Sequence, residues 1–185
     1  TVNINKLVLG KKANNKIIDY VPHGMNPKIF HPISEDSDKY SEIQKLRKDI
    51  AREGEAKFIL FFNSRNIRRK SIPDTLLAWK YFIDQLSEEE AKSCYFILHT
   101  DAVSDAGTDL PAVKDYLFGK DYNNVMLSTN KVTAEQLNNF YNLADAQILL
   151  SSAEGWGLAL TEALLTGTPI IANVTGGMQD QMRFE

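Results

Sequence analysis

Residues Phe58-Ile59-Leu60-Phe61-Phe62 are apolar at every position, and no feature of the chain restricts its fold more. A strand with one wet face alternates apolar and polar residues. One that is apolar throughout is covered on both faces, as in a parallel sheet. Ile148-Leu149-Leu150 repeats the pattern. The expected strands are Ile17–Val21, Lys57–Asn63, Tyr95–His99, Asn124–Leu127, Ala146–Ser151 and Pro169–Asn173. Between them, apolar residues fall at three- and four-residue steps, as on one face of a helix. These segments are Ser37–Arg52, Ile72–Leu86 with Pro73 in its first turn, Asp109–Phe118 ending before Gly119, and Thr133–Ala144, which opens with a Thr133/Gln136 capping-box spacing. A last helix follows Gly157 and stops at Gly167. Alternation of this kind predicts an α/β doubly wound parallel sheet of about six strands, with helices on both faces and right-handed crossovers.

The chain of 185 residues, 43% of them hydrophobic, is long enough to bury a core. Its formal charge of -3 argues against nucleic acid as a partner, because such binders carry a basic excess. Cys94, the only cysteine, sits in an apolar run and reads as a buried thiol. No apolar run approaches the roughly 20 residues that span a bilayer, and no secretory signal is visible, so a soluble cytoplasmic protein is expected. The chain begins at Thr1 and stops at Glu185 in mid-pattern, which reads as a piece of something longer. The polar stretch Thr100–Thr108 is the expected flexible loop.

In doubly wound sheets, ligands bind beyond the carboxyl ends of the strands, and three of the loops there, those after the fifth, second and first expected strands, carry unusual residues. After the fifth expected strand comes Ser151-Ser152-Ala153-Glu154-Gly155-Trp156-Gly157-Leu158-Ala159-Leu160-Thr161-Glu162. Gly155 and Gly157 allow close backbone approach. The helix start behind them offers free N–H groups and a positive dipole end to phosphate or sugar oxygens. Glu162 would be repelled by phosphate, so a neutral diol is its better partner, and two carboxylate oxygens can accept from both hydroxyls of a ribose. Glu154 is placed to meet hydroxyls of a transferred sugar. A Gly-x-Gly turn alone is an ordinary strand-to-helix connection; two glutamates eight apart around Gly-Trp-Gly-Leu are far more specific. The loop after the second expected strand holds four cations between Arg65 and Lys70, an anion site or a solvated basic loop. Arg65 can fork onto phosphate oxygens, and Lys70 adds a point charge.

Together these segments resemble the retaining GT-B glycosyltransferases of group 1 (family 4). Glu154 to Glu162 is similar to that family's E-x7-E motif. Gly167-Thr168-Pro169-Ile170-Ile171-Ala172 with Thr175-Gly176-Gly177 resembles its G-x-P-[VI]-[IV]-A…GG, and Tyr141-Asn142-Leu143-Ala144-Asp145 resembles its Y-x-x-A-D run. Arg65 and Lys70 keep the spacing of its G-R…K-G segment, but Ser64 and Ser71 replace both glycines, leaving Arg69 and Arg68 open as alternatives to the lysine. Tyr20-Val21-Pro22-His23-Gly24-Met25-Asn26 with Phe30-His31-Pro32 resembles the family's entry into its second domain, where Gly24 would face the interdomain cleft and His23 reads as loop-orienting rather than as a catalytic base.

The resemblance implies a Rossmann-like C-terminal half of a GT-B fold, with residues 1–16 a leading segment, 17–180 the core, and the acceptor domain missing. It implies a catalytic set of Glu154, Arg65 and Lys70. Its donor-binding set is Glu162, Gly155, Trp156, Gly157, Leu158, Gly24, Gly176 and Gly177, with no metal and no cofactor. The partners are a nucleotide-diphosphate sugar of unspecified base and an acceptor glycan, lipid or protein, with peripheral membrane association confined to the parent. The fragment alone is expected to be inactive. His99, at a strand end, is a candidate for lining the nucleotide pocket. Asp101, Asp105 and Asp109 lack a calcium-loop pattern and read as solvated loop or cap. Two rivals remain: a nucleotide-sugar epimerase or phosphorylase of the same fold, and a non-catalytic binding or scaffold domain.

Overall fold

The computed structural model describes residues 2–19, 21–51 and 54–182. In chain order the elements are α1 (Val2–Leu9), α2 (Asp38–Ala51), β1 (Phe58–Asn63), α3 (Ile72–Ile83), α4 (Glu88–Lys92), β2 (Cys94–His99), α5 (Leu110–Phe118), β3 (Val125–Ser128), α6 (Ala134–Leu143), β4 (Ala146–Leu149), α7 (Leu158–Thr166), β5 (Ile170–Ala172) and α8 (Met178–Met182). Short 3-10 helices span Gly10–Asn15 and Arg68–Lys70. All strand pairs are parallel, in the order β3-β2-β1-β4-β5.

Central β1 is buried on both faces, as its sequence requires. Ile59 and Phe61 pack with Tyr95 and Ile97 of β2, Ile43 and Ile50 of α2, and Tyr141 of α6. Leu60 and Phe62 turn the other way, with Phe96 and Leu98 of β2, Leu76 and Trp79 of α3, and Leu110 of α5. Cys94 lies within this second layer. The chain runs from β1 to one edge through α3 and α5, then returns past β1 to the other edge through α6 and α7. A single crossover hand makes the helices change face where the direction reverses, and the reversal falls between β1 and β4.

Local signals set the helix ends. Asp109 accepts from the Ala112 amide at 3.0 Å to start α5, and Thr133 with Gln136 closes a capping box on α6. Ser87 and Glu90 form another on α4, a short helix the periodicity does not announce; α1 and α8 were likewise unexpected.

The described strands number five, not about six. Ile17–Asp19 and Val21 belong to no strand, and Tyr20 of that expected strand lies outside the described residues, as does Arg52 at the expected end of α2. Ile17 is 100% exposed and Val21 86%. Apolar side chains left in the open this way do not make a buried strand, which needs cover on its faces. No helix among the described residues is long and apolar enough to cross a membrane.

One arginine fastens the open side of this architecture. From α2, Arg47 donates to the carbonyls of Ala56 (2.8 Å), Leu143 (3.1 Å) and Lys57 (3.1 Å), and to Asp145 Oδ2 at 2.6 Å. The same Asp145 oxygen accepts the Ile59 amide at 2.7 Å. Arg47→Ala removes all four bonds and is expected to lower stability by about 2 kcal/mol, read as a reduced urea midpoint at unchanged slope.

Candidate functional site

The carboxyl ends of β1 to β4 surround a cleft of about 580 Å³, at the point where strand order reverses. Its walls come from the loops after all four strands, and those after β1 and β4 are fastened to each other: the Ser152 amide donates to the Arg69 carbonyl at 2.8 Å, and an Arg69 guanidinium nitrogen donates to the Ala153 carbonyl at 2.6 Å.

Glu154 sits between the two loops with its side chain 4% exposed. Its Oε1 accepts from Lys70 Nζ and its Oε2 from Arg69 at 2.9 Å. Burial pushes the Glu154 carboxyl up. The interactions with Lys70, Ser151 and Arg69 and the Lys70 charge pull it down and win, leaving it below the ordinary carboxylate value. Lys70 is buried with it. Ser71, standing where the family pattern has glycine, takes the left-handed conformation (φ 49°, ψ 42°), so the chain turns after Lys70 as a glycine would turn it. Arg65 also lines the cleft and is exposed. Arg68 is not part of the lining.

Glu162 rises into the same cleft from the second turn of α7. Its Oε2 accepts the Tyr141 hydroxyl at 2.5 Å and Asn63 Nδ2 at 3.2 Å, and Asn63 also donates to the Tyr141 oxygen at 3.0 Å. Burial raises the Glu162 carboxyl, and the bonds from Tyr141 and Asn63 only partly offset this, so it titrates above the ordinary value. With Oε2 so engaged, the expected use of both oxygens on a diol narrows to Oε1.

Trp156 and Gly157 complete the rim. Trp156 Nε1 donates to Thr161 Oγ1 at 2.9 Å, its carbonyl accepts from Gln181, and His23 lies against its ring at 5.6 Å. Gly155, Gly157 and Leu158 line the cleft with it. His99 does too, its Nδ1 3.0 Å from Ser128 Oγ and its ring stacked on Phe140; burial lowers its pKa.

Three residues of the expected donor-binding set lie elsewhere. Gly24 is exposed and outside the lining. Gly176 and Gly177 pack behind the Glu154 loop, where a Cβ would overlap the carbonyl oxygens of Glu154 and Gly155 respectively. They support the loop from the back because only glycine permits that approach. Nor does the 100–108 segment hang free. Buried Asn66 donates to the carbonyls of Asp101 (3.0 Å) and Thr108 (2.6 Å) and accepts the Thr108 amide, and the Arg68 amide donates to Ala106. Asn63, Asn66 and Tyr141 were missed as site residues: Asn63 closes an apolar run and Tyr141 opens the Tyr-Asn-Leu-Ala-Asp run, whereas Asn66 sits among polar and charged neighbours that give no signal. Among the described residues no group of histidine, cysteine and carboxylate side chains could hold a metal ion.

Residues 116–183 match the family described as Glycosyl transferases group 1. That stretch carries the group 1 glycosyl transferase signature. A trehalose synthase of Pyrococcus horikoshii is 35% identical over 65 residues, which is 35% of this chain and 16% of that protein. A solved glycosyltransferase of Rickettsia africae superimposes with a TM-score of 0.69 at 15% identity, over 99% of this chain and 45% of that one. An Escherichia coli protein described as trehalose-6-phosphate, bound with UDP-2-fluoro glucose, superimposes with a TM-score of 0.66 at 14% identity, over 86% and 38%. At such identities the two structures speak for the fold, which is that of a GT-B C-terminal half. This chain spans less than half the length of each of the three proteins. The group 1 stretch contains Glu154, Glu162 and Gly176–Gly177; Arg65 and Lys70 precede it.

Two tests follow from this geometry. Gly176→Ala must move the Glu154 loop, because the new methyl overlaps a carbonyl and φ is +57°; a loss of roughly 1–3 kcal/mol is expected in denaturant titration. Glu162 holds a proton more tightly folded than unfolded, so its ionisation works against folding above its raised value and ceases to do so as pH falls through it. Glu162→Gln should therefore unfold at a higher temperature than the parent at pH 7, and the gap should close as pH falls into the carboxylate range.

Proposed function

We propose that this chain is the donor-binding half of a sugar-transferring enzyme, and that its cleft takes a nucleotide-diphosphate sugar for retaining transfer to a hydroxyl acceptor held outside this chain. The observation that carries the reading is one cleft lined both by the cations Arg65, Arg69 and Lys70 of the loop after β1 and by Glu162, a carboxylate held by neutral donors. The group 1 signature of residues 116–183 and a neighbour of the same fold bound with UDP-2-fluoro glucose support it.

The chemistry follows the charges. When the bond from the anomeric carbon to the diphosphate breaks, its electron pair stays on the phosphate oxygen. Arg65, Arg69 and Lys70 against Glu154 leave two unbalanced positive charges in that lining. The uncapped N-terminus of α7 adds its amides, so the leaving group is stabilised by fixed groups rather than by reorganising water. Glu162 accepts from the neutral hydroxyls of the ribose through Oε1. Glu154 serves twice: it holds Lys70 and Arg69 in place, and the lone pairs left on its two oxygens accept from hydroxyls of the transferred sugar.

Isothermal titration of the chain with UDP, GDP and ADP and their glucose conjugates tests the reading. At least one pair should bind, with a dissociation constant of roughly 10 µM to 1 mM. Arg65→Ala should weaken that binding about tenfold and flatten its salt dependence. Glu154→Gln frees two cations, so it should tighten the bare diphosphate several-fold while abolishing any gain from the attached sugar. Absence of binding by all six compounds refutes the assignment.

A further inference from the structure

Tyr141 is fully buried, yet its hydroxyl reaches the edge of the cleft. The ring is locked. Phe61 meets it edge-on at 5.1 Å and Phe30 at 6.2 Å, while its backbone carbonyl accepts from Thr168 Oγ1 at 2.8 Å. The phenol therefore points in one direction and gives its proton to Oε2 of Glu162 at 2.5 Å. Asn63, the last residue of β1, braces both from the side, donating at 3.0 Å to the phenol oxygen and at 3.2 Å to the same carboxylate oxygen. Three elements thus converge on one oxygen atom, and Glu162 still lines the cleft. Among the described residues Oε1 has no hydrogen bond, so the braced side of the carboxylate faces the protein and the free side is left to a ligand.

We infer that Tyr141 and Asn63 are positioning residues for ribose recognition: by holding Oε2 of Glu162 they fix Oε1 toward the cleft, where it accepts from the vicinal hydroxyls of the donor nucleotide. The inference rests on the donor-site reading given above. A carboxylate free to rotate would accept from a diol in many poses and select none of them; one held at Oε2 selects a single pose before the ligand arrives, which lowers the ordering cost of binding. Both bonds also favour the ionised carboxylate, the form that accepts from two hydroxyls.

The test compares ribonucleotides with their 2′-deoxy counterparts, because a general loss of structure would weaken both alike. Calorimetry is run with UDP, GDP and ADP and with dUDP, dGDP and dADP on the parent chain, Tyr141→Phe and Asn63→Ala. The parent should prefer the ribo form of its nucleotide by about tenfold. In Tyr141→Phe that preference should fall to about twofold, with affinity for the deoxy form unchanged, and Asn63→Ala should shift it the same way by less. If the parent shows no preference, or binds none of the six, the assignment of Glu162 to the diol fails and this inference fails with it. If the parent prefers ribose and both variants keep the full preference, or lose affinity for both forms equally, the positioning role is wrong while the donor site stands. Circular dichroism monitors folding; should Tyr141→Phe unfold, Asn63→Ala decides, since Asn63 lies at the rim of the sheet.

Discussion

Everything in this molecule depends on a strand that cannot touch water. With Ile59, Leu60, Phe61 and Phe62 all buried, β1 must be central, with strands on both sides and helices on both faces. A central first strand has consequences. The chain leaves it toward one edge and must return past it to build the other, so the order reverses beside it, and with one crossover hand the helices change face there. The two loops that diverge at the reversal leave a space at the carboxyl end that neither fills. The cleft is therefore a topological product of the apolar run, and residues placed after β1 and β4 meet in its lining although they are more than 80 positions apart in the chain.

That space is then tuned by electrostatics. A cluster such as Arg65, Arg69 and Lys70 would repel itself if left alone, and a buried lysine without a partner would lose its charge or its place. Glu154 resolves both problems with one side chain, and the fall in its pKa against the pull of burial shows that pairing outweighs desolvation. Glu162 is the opposite case. It is buried among a phenol and an amide with no cation bonded to it, and its pKa rises. Two carboxylates eight residues apart thus have different protonation behaviour because one meets cations and the other neutral donors. Perturbed groups in the lining of one cleft mark a functional site more strongly than either does alone.

Much of this could be read from the residues, and the limits have physical causes. Each run that became a strand had consecutive apolar positions and a turn signal after it, so β1 to β5 were legible; Ile17 and Val21 had the composition but stand exposed, and composition alone does not supply cover. Helix ends at Asp109 and Thr133 were legible because caps act over three residues. The Glu154 contacts were not: the acid loop read as the neutral side of the site and the basic loop as its phosphate side, whereas Lys70 and Glu154 are bonded across the boundary. Gly176 and Gly177 illustrate the same limit. A glycine pair marks close approach of backbone, but a sequence does not say whether a ligand or another loop makes the approach, and here it is the loop of Glu154 and Gly155. Arg47 and Asn66 act wholly through contacts distant in sequence and left no local trace.

Tyr141 joins the two halves of this account. Its ring belongs to the core that β1 forces into being, packed on Phe61, and its hydroxyl belongs to the cleft that the same strand opens. Substitutions at most core positions change stability alone, and substitutions at most cleft positions change binding alone. At Tyr141 the two are coupled, because the rigidity that aims the hydroxyl is supplied by the packing that stabilises the fold. Asn63 is coupled in the same way from the sheet, as the last residue of β1 and a donor to the site. The geometry of Glu162 is thereby tied to the central strand, through Asn63 at its end, rather than to the loops after β2 and β3, so sequence changes in those loops can reshape the cleft without disturbing the bonds that hold Glu162.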